Sequence, residues 1–313
     1  MVRTLATLLP ALFLTASVFA QGCSDAGFCT MGAMKPDQPF NKKIELRLRS
    51  MEVTFYRAST TLTPIIYSAT ADMNFSLNSK TSFQLKVPFQ VVHGRLAKTS
   101  GMGDLSLCLT RSVYKNERFD VNVSLGTKIP TNHSNKTTDD GAPLPMYYQT
   151  SLGTYDAIAG VSVISRNWLF ATGIQHPFNR NKNQFFWGDP HWVAQTELTD
   201  YIHEYAPARN LRRGTDVMFR AERNFRFSRL NFSVGALSIT RINRDEITAA
   251  DGTRMRPEKA HGMALSALAT VGYSFNVRTG VRVLVGHKIF NRDINPDGLT
   301  RELITTVSYF YRF

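Results

Sequence analysis

Arg301-Glu302-Leu303-Ile304-Thr305-Thr306-Val307-Ser308-Tyr309-Phe310-Tyr311-Arg312-Phe313 closes the chain and decides how the rest is read. Successive side chains of a strand point to opposite faces. At that period one face carries Leu303, Thr305, Val307, Tyr309, Tyr311 and Phe313, and the other Ile304, Thr306, Ser308, Phe310 and Arg312. An apolar face that turns aromatic toward one end, opposite a mixed polar face, fits a strand between lipid and a wet lumen. Its rings would lie at the membrane–water boundary, where the ring body is apolar and the tip is wet. The competing reading is an edge strand of a soluble β-sandwich.

The segments upstream favour the first reading. Twelve candidate strands follow Lys43, at about 43–55, 62–78, 81–93, 102–114, 119–130, 151–165, 168–177, 214–227, 229–242, 263–277, 279–291 and 301–313. In the third, Phe83, Leu85, Val87, Phe89 and Val91 oppose Gln84, Lys86, Pro88 and Gln90. In the tenth, Leu265, Ala267, Ala269, Val271, Tyr273 and Phe275 oppose Ser266, Thr270, Gly272, Ser274 and Asn276. Segments of this length and period are the signature of a membrane barrel. The first strand shifts phase near Arg49-Ser50-Met51, which predicts a bulge. Arg223 shares the apolar face of Phe219, Ala221, Phe225 and Phe227, so it must snorkel from near an interface.

The connections sort themselves. Those around Asn78-Ser79-Lys80, Lys115-Asn116-Glu117-Arg118, Arg166-Asn167, Ser228 and 276–279 are tight, whereas 131–150, 178–213, 243–262 and 292–300 are long and polar. Tight turns on one rim and long loops on the other are expected of an outer-membrane barrel, and a sandwich has no reason for them. Closure also removes the strand edges that lipid does not tolerate. The expected fold is all-β: one antiparallel transmembrane β-barrel of about twelve strands over 43–313, with short periplasmic turns and long extracellular loops.

Residues 1–20 read as a signal peptide, with Arg3 as the basic start, Leu5 to Phe19 as the apolar core and cleavage after Ala20. Residues 21–42 are Gly-, Pro- and polar-rich without periodicity, and are expected to be a flexible periplasmic segment or a small plug. In an oxidising compartment Cys23 and Cys29 are candidates for a disulfide, with lipoprotein processing at Cys23 as the competing reading. Cys108 faces away from Leu105, Leu107 and Leu109 and reads as a small wall residue. Net charge is +13, with Lys and Arg dispersed and no nucleic-acid motif, so nucleic acid is not an expected partner.

Arg or Lys facing lipid at mid-depth costs about 2–4 kcal/mol, so alternation sends charges inward. The lumen-lining candidates are Glu45, Arg47, Arg49, Asp72, Lys86, Asp104, Lys128, Asp156, Arg220, Glu222, Arg226 and Arg282, with Lys288 beside them. They describe either a solute pathway with a basic excess or a lumen packed shut by ion pairs. The segment 178–213, with Trp187, Trp192, His191, His203, Glu204, Arg209, Arg212 and Arg213, is a candidate lid or binding loop. Its basic run could meet lipopolysaccharide phosphates. His191, His203 and Glu204 match no known ligand spacing, so no metal or other cofactor is expected. His133-Ser134-Asn135 invites comparison with the outer-membrane phospholipase, but it sits in a loop with the wrong spacing.

The aromatic ending, with Tyr309, Tyr311 and Phe313 at alternate positions, resembles the C-terminal strand of bacterial outer-membrane barrels. That resemblance implies recognition by the barrel-assembly machinery and residence in a Gram-negative outer membrane. Ser82-Phe83-Gln84-Leu85-Lys86-Val87-Pro88-Phe89 and Ser100-Gly101-Met102-Gly103-Asp104-Leu105-Ser106-Leu107 resemble the outer-membrane transporter family labelled with the MetA pathway of phenol degradation. Cys23-Ser24-Asp25-Ala26-Gly27-Phe28-Cys29 is similar to the mature start of some of its members. The resemblance makes Gly101, Gly103 and Asp104 part of a shared motif. It implies a non-enzymatic channel or facilitator for small molecules, hydrophobic ones included, with membrane lipid and lipopolysaccharide as surroundings. A closed barrel that binds a partner through its outer loops is the alternative, and a barrel hydrolase a remote one.

Overall fold

The computed structural model describes residues 31–35 and 47–313. The signal segment, Cys23, Cys29, Glu45 and the side chain of Arg47 lie outside the described residues. The strands are β1 (Arg47–Ser59), β2 (Ile65–Ser76), β3 (Thr81–His93), β4 (Lys98–Met102), β5 (Leu105–Lys115), β6 (Phe119–Ile129), β7 (Asp156–Ser165) and β8 (Trp168–Pro177). They continue with β9 (Asp216–Arg226), β10 (Leu230–Arg241), the small hairpin β11 (Ile247–Thr248) and β12 (Arg254–Met255), β13 (Gly262–Ser274), β14 (Thr279–Phe290) and β15 (Leu303–Arg312).

Each strand pairs antiparallel with its neighbours, and β1–β15 together with β2–β3 close the ring. Because β4 and β5 both pair with β3, they form one interrupted stave, and the barrel has twelve. Alternation is the reason the ring works in lipid. Phe55, Phe89, Leu125, Val163, Phe170, Ile174, Phe219, Val271 and Val307 stand exposed on the outer wall. Ser68, Asp72, Gln84, Lys86, Ser106, Ser124, Ser162, Glu222 and Ser308 are buried inside. In β15, Leu303, Val307 and Tyr309 face out while Ile304, Ser308 and Phe310 face in, and the Phe313 amide donates to the Arg49 carbonyl across the seam.

Three of the tight turns share one device. Asn78, Asn116 and Asn276 each accept from the amide two residues on, at 2.9, 2.9 and 2.8 Å, the side-chain turn that Asn makes better than most residues. Arg223 lies at this rim with its guanidinium 5.0 Å from the Trp168 ring and 5.8 Å from that of Phe225. Cation–π contact in the interfacial ring girdle is how an outward Arg is accommodated.

The bulge expected near Arg49-Ser50-Met51 is present, between Leu48 and Ser50 in the β1–β2 register. Beyond it the parity flips, so Met51, Val53 and Phe55 face out, and Glu52 rather than Arg49 enters the lumen. Arg49 is half-buried at the bulge, and Arg226 is exposed at the tight-turn end of β9, where it lines a shallow pocket with Asn224 and Asn231. Neither joins an ion pair of the lumen among the described residues. The sixth candidate strand begins at Asp156, not 151, because Ser151 and Leu152 are bound elsewhere.

Candidate functional site

The lumen is filled from both ends. From the N-terminal side, Gly32–Met34 makes one 3-10 turn inside the barrel. Its Gly32 amide donates to Gln84 Oε1 at 2.7 Å. Met31 and Met34 are buried with Cys108, Ile158, Met218 and Leu237. Met34 is seated on Gly160 of β7 and Gly173 of β8; a Cβ at Gly160 would lie 3.0 Å from its sulfur. Cys108 is a buried wall residue against which the turn rests.

Lys35 follows and carries its ammonium into an ion network on the strand walls. Its Nζ lies 2.7 Å from Glu52 Oε2 and 3.0 Å from Asp72 Oδ2. Lys86 Nζ approaches the same Asp72 oxygen at 3.7 Å, and Arg282 Nη1 lies 3.4 Å from Glu52. Gln84 Nε2 donates to both Asp72 oxygens at 2.9 Å. Arg220 and Glu222, both on β9, pair with each other deeper in the wall, Arg220 Nε donating at 2.6 Å.

From the opposite rim the long loops fold inward. The 130–155 loop is caught by Asp104, whose carboxylate accepts from Ser151 Oγ at 2.5 Å and the Leu152 amide at 3.1 Å. Asp104 sits at the break between β4 and β5. There the Gly103 amide still reaches the Pro88 carbonyl at 2.8 Å, and a side chain on Gly101 would collide with Asn132. The Gly-x-Gly-Asp stretch therefore opens the stave and ties a loop to it.

The 178–215 loop forms two short helices, α1 (Pro190–Val193) and α2 (Thr199–His203). Their Trp192, Tyr201 and Ile202 pack with Tyr147, Tyr148, Phe185 and Tyr205 and with Tyr56 of the wall. The Tyr201 and Tyr205 hydroxyls lie 2.7 Å apart, and Trp192 Nε1 donates to the Pro143 carbonyl at 2.8 Å. Burial pushes the Tyr148 hydroxyl up to about 12, so it stays neutral.

A second ion network pins these loops. Arg213 bonds Asp156 at 2.9 Å and approaches Asp216 at 3.5 Å and Asp297 at 3.7 Å. Arg241 bonds Asp216, Asp245 and Asp297 at 2.6, 2.8 and 2.7 Å, and Arg292 reaches Asp297 at 3.5 Å. Three guanidiniums thus meet four carboxylates among the described residues, all buried. Burial raises the pKa of Asp297, but the surrounding Arg241, Arg292 and Arg213 outweigh it and hold that carboxyl well below the usual range. Asp245 goes the other way: burial raises it, Arg241 offsets only part, and the like charge of Asp297 adds to the rise.

Between plug and lid lie two chambers. One, of about 70 Å³, sits under the loops among Lys128, Asp104, Gln149, Leu299 and Arg301. The other, of about 90 Å³, lies over Lys35 and combines Leu237, Leu268, Leu284 and Ile304 with Glu52, Asp72, Arg220 and Arg282. Tyr56, Thr70 and Lys86 line both.

Of the lumen candidates, Asp72, Lys86 and Arg282 come together in the plug network, Asp156 joins the loop network, and Lys128 and Asp104 line the upper chamber. Arg220 and Glu222 form their own pair. Lys288 is buried with its Nζ 3.9 Å from Glu302. Glu52, Asp216, Arg241, Asp245 and Asp297 were not among them. The Ser134 hydroxyl accepts from the Lys182 amide at 3.2 Å and Asn135 from that of Gln184 at 2.9 Å, so both hold loops together. His191 bonds Asp189, and His203 the Thr199 carbonyl, at separate places.

No protein-family model matches the chain, and no curated protein does. Among solved structures, the COG4313 outer membrane channel from Pseudomonas putida F1 is similar over 88% of this chain and 99% of its own, with TM-score 0.62 and 12% identity. The NanC porin gives TM-score 0.45 at 9% identity over 84% and 100%. The KdgM porin gives 0.42 at 7% over 84% and 99%. The first of these carries the comparison: the chain has the fold of that channel, a closed twelve-stranded antiparallel barrel. The family likeness in Ser82–Phe89 and Ser100–Leu107 extends no further than that fold.

Proposed function

We propose that this barrel is a gated facilitator for small amphiphilic molecules, with the 31–35 turn and the tyrosine-rich loops as its two closures. The observation that carries the reading is the pair of chambers meeting at Tyr56, Thr70 and Lys86 inside a closed wall. The lower one sets leucine and isoleucine side chains beside fixed charges of both signs, a lining that suits a molecule with an apolar body and a polar end. No covalent chemistry is involved.

The test is single-channel conductance of the mature chain, residues 21–313, in a planar bilayer. The intact protein should conduct weakly, and deletion of 21–35 should raise conductance several-fold. Lys86→Gln with Arg282→Gln removes two positive charges from the lower chamber and should move ion preference toward cations. A deletion variant that inserts, with heat-modifiable mobility, yet stays electrically silent would sink the proposal. The buried packing of Trp192, Tyr201, Ile202 and Tyr205 favours a second reading, a closed barrel whose loops bind a partner. Deleting 178–213 separates the two: a facilitator keeps or gains conductance, and a binder gains none.

A further inference from the structure

Five arginines, Arg180, Arg212, Arg244, Arg254 and Arg256, gather at the outside of the extracellular rim. Among the described residues they take no part in either lumen network, although the cleft they surround backs onto Arg213 of the upper one. A β-bridge between Arg212 and Glu246, with amide-to-carbonyl bonds of 2.8 and 2.9 Å, welds the 178–215 loop to the 242–261 loop. It sets Arg212, Arg244 and Arg256 around a cleft whose floor includes His176 and Thr215. Arg180 and Arg256 both grip Glu246, Arg256 Nη2 at 2.9 Å, and among the described residues Glu246 is the one carboxylate lining the cleft. Arg254 stands exposed on β12 of the same hairpin. Burial, and then the like charges of Arg254, Arg212 and Arg256, push Arg180 below its ordinary pKa despite its contact with Glu246. Acids in the adjoining loop are committed elsewhere: Asp245 to Arg241, and Asp251 to Thr253.

The height of this cleft identifies its ligand. His176 belongs to the outward, lipid-facing side of β8, two residues beyond Ile174, and bonds Thr215 at 2.8 Å. Ile174, Phe178, Phe219 and Ile242, on β8, β9 and the ends of β8 and β10, stand exposed on the same wall. Positive charge therefore lies directly above an apolar wall. Planar guanidiniums bind phosphate oxygens in pairs, and a single carboxylate cannot neutralise five of them. We infer that this cleft holds the phosphates of an outer-leaflet phosphorylated glycolipid of the lipopolysaccharide type, whose acyl chains lie along Ile174, Phe178, Phe219 and Ile242. The site is independent of whether the lumen conducts.

The experiment titrates the folded mature chain in detergent with bis-phosphorylated lipid A, with the same lipid stripped of phosphate, and with inorganic pyrophosphate. Lipid A should bind, the stripped lipid should bind about tenfold more weakly or worse, and pyrophosphate should compete only at far higher concentration. Arg212→Glu with Arg244→Glu should weaken lipid A binding by more than tenfold. Arg212→Gln with Arg244→Gln, which adds no new charge, should weaken it less but clearly. Arg118→Glu, on a periplasmic turn, should leave it unchanged. Each variant is read with its heat-modifiable mobility intact. Equal binding by both double variants and wild type, or equal binding of the stripped lipid, overturns the inference. Pyrophosphate binding as tightly as lipid A also overturns it, because the site would then serve a free anion.

Discussion

The two ion networks of the lumen are built from different materials. The lower one joins Lys35, Lys86 and Arg282 to Glu52 and Asp72, and three of these five side chains stand on adjacent strands whose register already brings them together: Glu52 opposes Asp72, and Asp72 opposes Lys86, while Arg282 reaches Glu52 across β15. The upper one joins Arg213, Asp245, Arg292 and Asp297 from loops to Asp156, Asp216 and Arg241 at strand ends. Its ion pairs span up to 84 residues of sequence, from Arg213 to Asp297. The wall network exists wherever the barrel exists. The loop network exists only while the loops are folded in, so it reports closure of the mouth rather than integrity of the wall.

The largest effect should come from its centre. Asp297 contacts Arg213, Arg241 and Arg292 and is wholly buried. Asp297→Asn leaves buried guanidinium charge uncompensated, which costs about 3–5 kcal/mol. That cost should appear as faster trypsin cleavage in 178–215 with little change in the melting of the barrel strands. Equal loss in both would mean that the two regions unfold as one. Asp245→Asn should cost less than Asp297→Asn, because it removes the like-charge repulsion with Asp297 that helps raise the Asp245 pKa, while Arg241 keeps Asp216 and Asp297.

Acid should act on the same element. Because the folded-state pKa of Asp297 lies below the ordinary 3.8, its stabilising contribution is complete above that value. It is lost as pH falls below 3.8 toward the depressed folded value. Asp245, raised above 3.8, contributes in the opposite sense, favouring the closed loops at low pH and losing that contribution as pH rises through its folded value. Loop protection from protease should therefore fall below about pH 4 in the wild type. In Asp297→Asn the acid-induced fall should be largely gone; an unchanged profile would assign it to other carboxylates.

How much of this was legible depends on which network is asked. Period two put Asp72, Lys86, Arg220 and Arg282 inside, because lipid leaves a charged side chain no other face. The same parity, carried to the ends of β9 and β10, reaches Asp216 and Arg241, which follow Met218 and Leu237 inward. Glu52 was hidden by the bulge near Arg49, which was itself readable, although the phase beyond it had to be restarted at Met51. Asp297 and Asp245 had no signal: a loop carries no period, and its partners are set by how two connections fold over one mouth. The Gly101-x-Gly103-Asp104 motif could be quoted as a resemblance, but its work here, opening the stave and holding Ser151 and Leu152, needs the three-dimensional path of the 130–155 loop.

Lys35→Met tests the lower network and should cost less than Asp297→Asn. Its ammonium is partly solvent-accessible, and without it Lys86 and Arg282 still balance Glu52 and Asp72 one for one. A loss of about 1 kcal/mol is expected. Conductance should rise, because the turn at Gly32–Met34 loses its ionic anchor. A stability loss comparable with that of Asp297→Asn would show that the turn is part of the wall rather than a removable closure.

The smallest quantity is the coupling between the two. Among the described residues no ion pair joins Lys35 or Glu52 to Asp297 or Arg241, although both chambers touch Lys86. Sites without shared partners add within about 0.3–0.5 kcal/mol. A double-mutant cycle of Lys35→Met and Asp297→Asn should therefore show coupling no larger than that in loop protection. It should show a product of the separate effects in conductance, since two closures in series each limit flow. A coupling of 1 kcal/mol or more would have to pass through Tyr56, Thr70 or Lys86, where the chambers meet. The plug and the lid would then be two faces of one gate.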